Sequence, residues 1–119
     1  MLTEPDMQYL LLIYADENHA TSEAEGKAMV EAYGAFTQEI IQKGHFKGAD
    51  RLRPTSTATT VRVRDGKTLA TDGPFAETRE QLGGYYLIEA KDLDEATAIA
   101  AKVPSAKVGS VEVRPVWTM

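Results

Sequence analysis

The apolar run Tyr-Leu-Leu-Leu-Ile-Tyr at residues 9–14 places the strongest constraint on how this chain can fold. It is far shorter than the roughly 20 apolar residues of a membrane-spanning helix, and the polar residues Asp16 and Asn18 follow it. We therefore predict a β-strand. Because successive side chains of a strand point to opposite faces, Tyr9, Leu11 and Ile13 share one face, and Leu10, Leu12 and Tyr14 share the other. Both faces of its sheet must then be covered.

A first amphipathic helix follows this strand. It begins at Thr21 or Ser22, since Ser22 and Glu25 have the spacing of a capping box, and it ends at Gly44. Its apolar stripe consists of Met29, Tyr33, Phe36 and Ile40.

A second helix lies towards the end of the chain. Asp92 and Glu95 repeat the capping spacing, and Pro104 stops the helix. Its apolar stripe consists of Leu93, Ala96, Ala100 and Val103. Alternation of apolar and polar residues over 110–116 then predicts a last strand.

Between the two helices the pattern predicts extended structure. Residues 45–52 form a weak strand, and 85–90 form a buried one. Residues 59–64 and 67–71 flank Asp65-Gly66, and this dipeptide between two extended runs is a strong signal for a β-hairpin. A loop at 71–84 precedes the buried strand.

The order of these elements predicts one domain, residues 1–119, with an α+β fold. It is a ferredoxin-like sandwich made of two split β-α-β units, with the hairpin as an insertion. Both helices of such a fold cover the same face of the sheet. The second apolar face of the first strand would then be exposed, which is unusual for a monomer. We therefore expect a two-fold homodimer in which a second copy covers this face.

Composition excludes several classes of function. The chain has 13 basic and 18 acidic residues, and a net charge of −5 argues against binding to nucleic-acid phosphates. It has no cysteine, so disulfides, zinc-thiolate sites and a cysteine nucleophile are excluded. The first residues carry acid where a secretory signal carries lysine or arginine. We expect a cytoplasmic protein without membrane attachment or cofactor.

The segment at 71–89, TDGPFAETREQLGGYYLIE, is where the sequence concentrates groups that suit a binding or catalytic site. Asp72 can act as a base facing an apolar cleft, or it can simply stabilise an Asp-Gly-Pro turn. Phe75 can form the floor of a pocket or anchor the loop. Glu77 can bind a charged ligand or remain solvated.

Aromatic residues and one histidine complete the set of candidates. Tyr14, Tyr33 and Phe36 can line a cleft or pack in the core. His45 can be a base or a metal ligand. However, it follows the end of the first helix, and the favourable interaction of a histidine with a helix C-terminus is enough to explain its presence. One histidine near Asp50 is too few ligands for a metal site, so we predict none.

The motif Asp72-Gly73-Pro74-Phe75, followed by Glu77 and by GGYYLI from Gly83, resembles the DGPF branch of the YCII-related (YciI-like) family. The stretches MQYLLLIYADE, RPTSTATTVRVRDGK and GSVEVRPV are similar to that branch as well. The resemblance implies a small bacterial cytoplasmic protein with a ferredoxin-like fold, a dimeric α/β-barrel assembly and a cleft under the sheet. It also implies small-molecule chemistry in some members, or an accessory role beside a sigma factor.

The YciI branch pairs a histidine of the first helix with a carboxylate, and the nearest residue here is Tyr33. We therefore predict binding of a small acid or hydroxylated aromatic near the 71–84 loop, with cofactor-free acid–base catalysis as an extension. Asp72 would be the base and Tyr33 its partner. Ligand contacts are assigned to Tyr14, Phe36, His45, Phe75, Glu77 and Tyr85. The alternative is a non-catalytic regulatory dimer that meets a sigma factor through Arg62 and Arg64. A haem-handling protein with His45 as ligand is a third option.

Overall fold

The structure, a computed structural model, describes residues 7–19 and 21–117. The acidic residues at 1–6, used above for the expected localisation, lie outside this part. The elements are β1 (Met7–Ala15), α1 (Glu23–Gln42), β2 (Phe46–Arg51), β3 (Thr59–Arg64), β4 (Lys67–Asp72), β5 (Gln81–Ala90), α2 (Leu93–Ala100) and β6 (Ser110–Pro115). Short 3-10 turns occupy Thr55–Thr57 and Pro104–Lys107. Within the described ranges, no helix is long and apolar enough to cross a bilayer.

The main sheet has four antiparallel strands in the order β2-β5-β1-β6. Helix α1 connects β1 to β2 and helix α2 connects β5 to β6, and each crossover passes over one intervening strand. The α+β class is therefore confirmed, and the strand order is compatible with a ferredoxin-like fold. Strands β3 and β4 form a separate two-stranded sheet.

The predicted helix signals are confirmed at both N-termini. The Ser22 hydroxyl accepts a hydrogen bond from the Glu25 amide at 3.1 Å, and the Asp92 carboxylate accepts one from the Glu95 amide at 2.9 Å. Gly44 ends α1 with a φ of +80°, a left-handed conformation that glycine adopts without strain. These caps fix where each helix starts and stops, and so fix how it lies on the sheet.

One face of the main sheet is covered by both helices, as predicted. Its buried side chains form one core cluster with the apolar stripes of the helices. The sheet contributes Tyr9, Leu11, Ile13, Tyr86, Ile88 and Ala90, and the helices contribute Phe36, Ile40, Ala96, Ile99 and Ala100. Tyr86 stands at the centre of this layer, with its ring edge-to-face against Phe36 at 5.2 Å between centroids.

We call the opposite face of the main sheet the open face. The cross-strand partners Leu10 and Leu87, and Leu12 and Tyr85, lie on it. These four side chains are only half-buried, because neighbouring strands shield them while both helices lie on the other side. The helices therefore leave one apolar set of β1 uncovered.

Strand β5 begins at Gln81, four residues before the predicted start, so the two consecutive glycines lie inside a strand. Between Ile13 and Tyr14 of β1 the pairing skips Gly83, which forms a bulge. A Cβ on Gly84 would lie 2.9 Å from the backbone oxygen of Asp50, so β2 approaches β5 too closely here for any side chain. Tight packing between strands, and not a phosphate-binding turn, explains this glycine.

We call the hairpin of β3 and β4 the arm. Its turn is Asp65-Gly66, as predicted, and both residues have positive φ. Every residue of the arm is exposed except Thr60, and within the described ranges no other element packs extensively against it. The radius of gyration is 16.9 Å, against about 13.5 Å for a compact domain of this length, as expected when a segment projects.

Candidate functional site

A groove of about 520 Å³ lies beside the loop that connects β4 to β5. We call residues 73–80 the DGPF loop. The groove is bounded by this loop, by the chain after β1, and by the 3-10 turn before the arm. Its lining residues are Glu17, Asn18, Pro54, Thr55, Ser56, Pro74, Ala76, Glu77, Thr78 and Gln81.

Backbone geometry at the end of the main sheet builds this groove. Because β1 and β5 are antiparallel neighbours, the end of β1 lies beside the start of β5. Past the bulge at Gly83, Gln81 pairs with Ala15, and the side-chain oxygen of Gln81 accepts a hydrogen bond from the Glu17 amide at 2.9 Å. Bulges of this kind redirect side chains at the edges of sites.

Glu17 also ties the groove to the turn before the arm. Its carboxylate accepts hydrogen bonds from the Thr55 amide, at 3.2 and 3.3 Å, and from the Thr55 hydroxyl. The loop is braced on its other side by Glu80, whose carboxylate accepts a bond from the Ser110 hydroxyl at 2.7 Å. The site is therefore held by side-chain contacts from three separate parts of the chain.

The groove is acidic. Two carboxylates, Glu17 and Glu77, line it together with hydroxyl and amide groups, and none of its lining residues is lysine or arginine. Glu17 is bonded to Thr55, whereas Glu77 has no hydrogen bond or ion pair with any described residue. Glu77 is thus the carboxylate that can receive a hydrogen bond from a ligand.

The three residues chosen at and just after the motif Asp72-Gly73-Pro74-Phe75 occupy different positions. Glu77 lines the groove. Asp72 ends β4 opposite Thr59 at the base of the arm, and its exposed side chain makes no hydrogen bond within the described chain. The turn is made instead by Gly73, with a φ of +102° and an amide bonded to the Ala58 oxygen at 2.7 Å. Phe75 is 78% exposed, so in this chain it neither anchors the loop nor floors the groove.

Tyr33 and Phe36 lie on the helix-covered side of the sheet. The Tyr33 hydroxyl donates a hydrogen bond to the Ser105 hydroxyl at 2.6 Å, and burial raises the pKa of Tyr33 above its ordinary value. Its ring stacks on Tyr86 at 6.5 Å, and the Tyr86 hydroxyl bonds to Thr37 at 2.6 Å. The structure shows no hydrogen bond between Tyr33 and Asp72: Tyr33 packs against the core under the helices, whereas Asp72 lies in the separate sheet of the arm.

Tyr14 and Tyr85 lie on the open face. The Tyr14 hydroxyl donates to the Glu112 carboxylate at 3.4 Å, and the Tyr85 hydroxyl donates to the Asp50 carboxylate at 2.6 Å. This bond to Asp50 raises the pKa of Tyr85. Polar pairs therefore border the apolar centre of the open face.

His45 lies in a second depression, of about 230 Å³, between α1 and α2. Its Nδ1 atom is 2.8 Å from the Glu89 oxygen, and its amide donates to the Ile40 oxygen at the end of α1. Charged side chains surround it, including Glu39, which bonds to Lys43 and Lys102 at 3.1 and 3.0 Å. In residues 7–19 and 21–117, no three side chains of the metal-binding types are grouped to hold an ion.

Sequence reasoning missed most of the groove. Glu17 and Thr55 lie in stretches that resemble the family, and Gln81 lies in the 71–89 segment, but as ordinary polar residues none of them indicates a binding role by itself. One signal was present. In the predicted topology, the first strand and the strand after the 71–84 loop are antiparallel neighbours, so the residues just after the first strand must adjoin that loop.

Comparisons with known proteins agree with this organisation. The family model of the YCII-related domain matches residues 7–119. An uncharacterized protein of Rhizobium meliloti (strain 1021) is 41% identical over 113 residues, which cover 92% of this chain and 91% of that protein. The residues that the family model matches include those of the groove and the arm.

Proposed function

The chain belongs to the YCII-related family, and on that premise we propose that it binds a small molecule in the groove beside the DGPF loop and works as a homodimer. The observation that carries the proposal is the groove itself, where Glu77 has no partner among the described residues. Pockets for small ligands combine apolar surface with a few placed polar groups. Here Pro54, Pro74 and Ala76 supply the former, and Glu77, Thr78 and Gln81 the latter.

The charge of the groove narrows the ligand class. Two carboxylates without a cation in the lining disfavour a small acid, because like charges repel at short range. A hydroxylated aromatic fits better: its ring can lie on the prolines while its hydroxyl donates a hydrogen bond to Glu77. The same carboxylate would accept the proton in cofactor-free acid–base chemistry. Asp72, the proton acceptor chosen from the sequence, lies next to the DGPF loop, where the arm joins the domain.

The homodimer is supported by the open face. Leu10, Leu12 and Leu87 form an apolar centre there that neither helix covers. Contiguous apolar surface of this kind marks an interaction site in soluble proteins. A second copy related by a two-fold axis can cover it with the same surface, because such an interface is self-complementary.

A thermal-shift panel tests the ligand site. It compares phenols and halogenated phenols with their methyl ethers and with small aliphatic acids. At 100 times Kd, a bound phenol should stabilise the protein by about 2.7 kcal/mol and raise Tm by roughly 10 °C. Glu77→Gln should reduce the shift, because the remaining amide oxygen is a weaker acceptor and cannot take up the proton. Glu31→Gln, an exposed change on α1, is the matched control and should keep it.

The variant Asp72→Asn tests whether Asp72 or Glu77 is the carboxylate that binds the ligand. Loss of the shift in this variant alone would place the ligand at Asp72, the residue chosen from the sequence as the base. Equal shifts for phenols and their methyl ethers would show that Glu77 accepts no ligand hydroxyl. A panel in which no compound changes Tm would contradict small-molecule binding of this class.

A further inference from the structure

The arm exposes apolar side chains on both of its faces. Cross-strand pairing places Val61 and Val63 on one face, and Leu69 on the other with Arg62. The two valines are 59% exposed and the leucine is 48% exposed. An isolated two-stranded hairpin is at best marginally stable in water. A ribbon that does not pack on its own domain gains stability when another surface covers one of its faces, and a surface that covers the face of Arg62 also buries Leu69.

The arm is long enough to reach a second copy. Each of its strands has six residues, which extend for about 20 Å at the usual rise per residue. The smallest dimension of the chain is 18 Å. Because this value includes the arm, the arm extends mainly along the longer dimensions of the chain, and it projects beyond its own domain, where a second copy can meet it.

Charge distinguishes the tip of the arm from its base. Arg62, Arg64 and Lys67 lie on one face near the tip, where the turn carries Asp65. None of the three cations has an ion pair with a described residue. At the base lies the acidic groove, whose Glu77 is also without an ion pair in the described chain. A basic tip and an acidic base on one chain are complementary between two copies.

We infer that the arm is a dimerisation arm. In the homodimer, the basic face of one copy's arm lies against the other copy's groove, so that Arg62 and Arg64 of one copy face Glu17 and Glu77 of the other. The two-fold axis repeats the contact, since each copy gives an arm and offers a groove. This inference rests on the proposed homodimer. It places guanidinium groups next to the two carboxylates, so the ligand site takes residues from both copies, and the preference for a phenol over an acid then applies to the groove of a single chain.

A charge-swap experiment tests the arm. One variant reverses the arm (Arg62→Glu with Arg64→Glu) and the other reverses the groove (Glu17→Lys with Glu77→Lys). Each variant alone should raise the dimer Kd, measured by sedimentation, roughly ten-fold or more, because like charges then meet at both contacts. Mixed in equal amounts, they should form heterodimers at the wild-type Kd, since both contacts regain opposite charges.

Controls make the result specific to this surface. Glu23→Lys with Glu31→Lys reverses two exposed acids on α1 and should not restore dimerisation of the reversed arm. Circular dichroism checks that each variant folds. If the loss of the Glu17 bond to Thr55 unfolds the double groove variant, Glu77→Lys alone replaces it as the reversed groove. Unchanged dimerisation of the reversed arm overturns the inference. The arm would then bind a different protein, such as a sigma factor.

Two further outcomes distinguish failure of the arm contact from failure of the homodimer. If both variants dimerise weakly but their mixture does not recover, the arm contacts a surface other than the groove, and the inference fails while the homodimer stands. If wild-type protein sediments as a monomer throughout the micromolar range, the homodimer and the arm contact both fail, whatever the ligand panel shows.

Discussion

Strands β5 and β3 have similar alternation of side chains, but one face of β5 is buried whereas the side chains of β3 are mostly exposed. In β5, every second residue from Gly84 to Ala90 is buried against the helices. In β3, valines alternate with arginines in the same way, yet both valines are more than half exposed. Alternation predicts an extended backbone with two distinct faces. Whether a face is buried depends on which other element lies over it, and local sequence does not encode that.

The largest effect should come from matched leucines in the two regions. Leu11, in β1, is completely buried, and Leu69, in the arm, is 48% exposed. Leu11→Ala should lower the free energy of unfolding by about 2–5 kcal/mol, because it leaves a cavity under the helices. Leu69→Ala should change the unfolding of a single chain by roughly 0.5 kcal/mol or less. Urea denaturation of both variants measures the two values.

Protein concentration sharpens this comparison. If a second copy covers the arm, the effect of Leu69→Ala should grow with protein concentration, since unfolding is then coupled to dissociation. A loss of 2 kcal/mol or more that does not depend on concentration would instead show that the arm packs against its own domain.

The two adjacent glycines of β5 give the next largest effect. Gly84→Ala should cost about 1–3 kcal/mol, because the new Cβ would lie 2.9 Å from the Asp50 oxygen and force β2 away from β5. Gly83→Ala is the matched control: nothing lies within 4 Å of its Cβ position, so the change should be neutral or stabilise by up to about 1 kcal/mol. Thermal unfolding measures both. Equal losses would mean that the bulge, and not contact with β2, requires glycine.

Much of the fold could be predicted because its signals are local. Ser22 and Asp92 cap the helices through bonds to residues three positions away, and Asp65-Gly66 sets its own turn through its own dihedral angles. The start of β5 could not be predicted in this way. Its first residues include Gly83 and Gly84, which are poor strand formers, and the segment is extended because β1 pairs with Gln81, Leu82 and Gly84 on either side of the bulge, and β2 pairs with Gly84.

The candidate site was predictable only in part. The motif located the DGPF loop and Glu77, but the partners of that loop come from residues 17–18 and 54–56, which meet it only through the sheet. Tyr33 was chosen by its position in α1, and the structure places its hydroxyl on Ser105, far along the chain. Spacing within one helix does not reveal which distant side chain shares its layer.

The smallest effect concerns charged side chains, whose ion pairing also differs between the arm and the helices that cover the main sheet. The cations of the arm have no ion pair in the described chain, whereas Glu39 on α1 accepts hydrogen bonds from Lys102 and Lys43, and these bonds lower its pKa. A lowered pKa stabilises the folded state above the unfolded pKa, near 4.5, and this contribution is lost as the pH falls through the folded value. Glu39→Gln should therefore lower Tm slightly at pH 7 and have no effect well below pH 4. Lys102→Met should reproduce part of the loss and add little to Glu39→Gln, because both remove the same bond. A Tm difference that does not shrink as the pH falls below 4.5 would mean that Glu39 acts through packing between α1 and the end of α2, not through its charge.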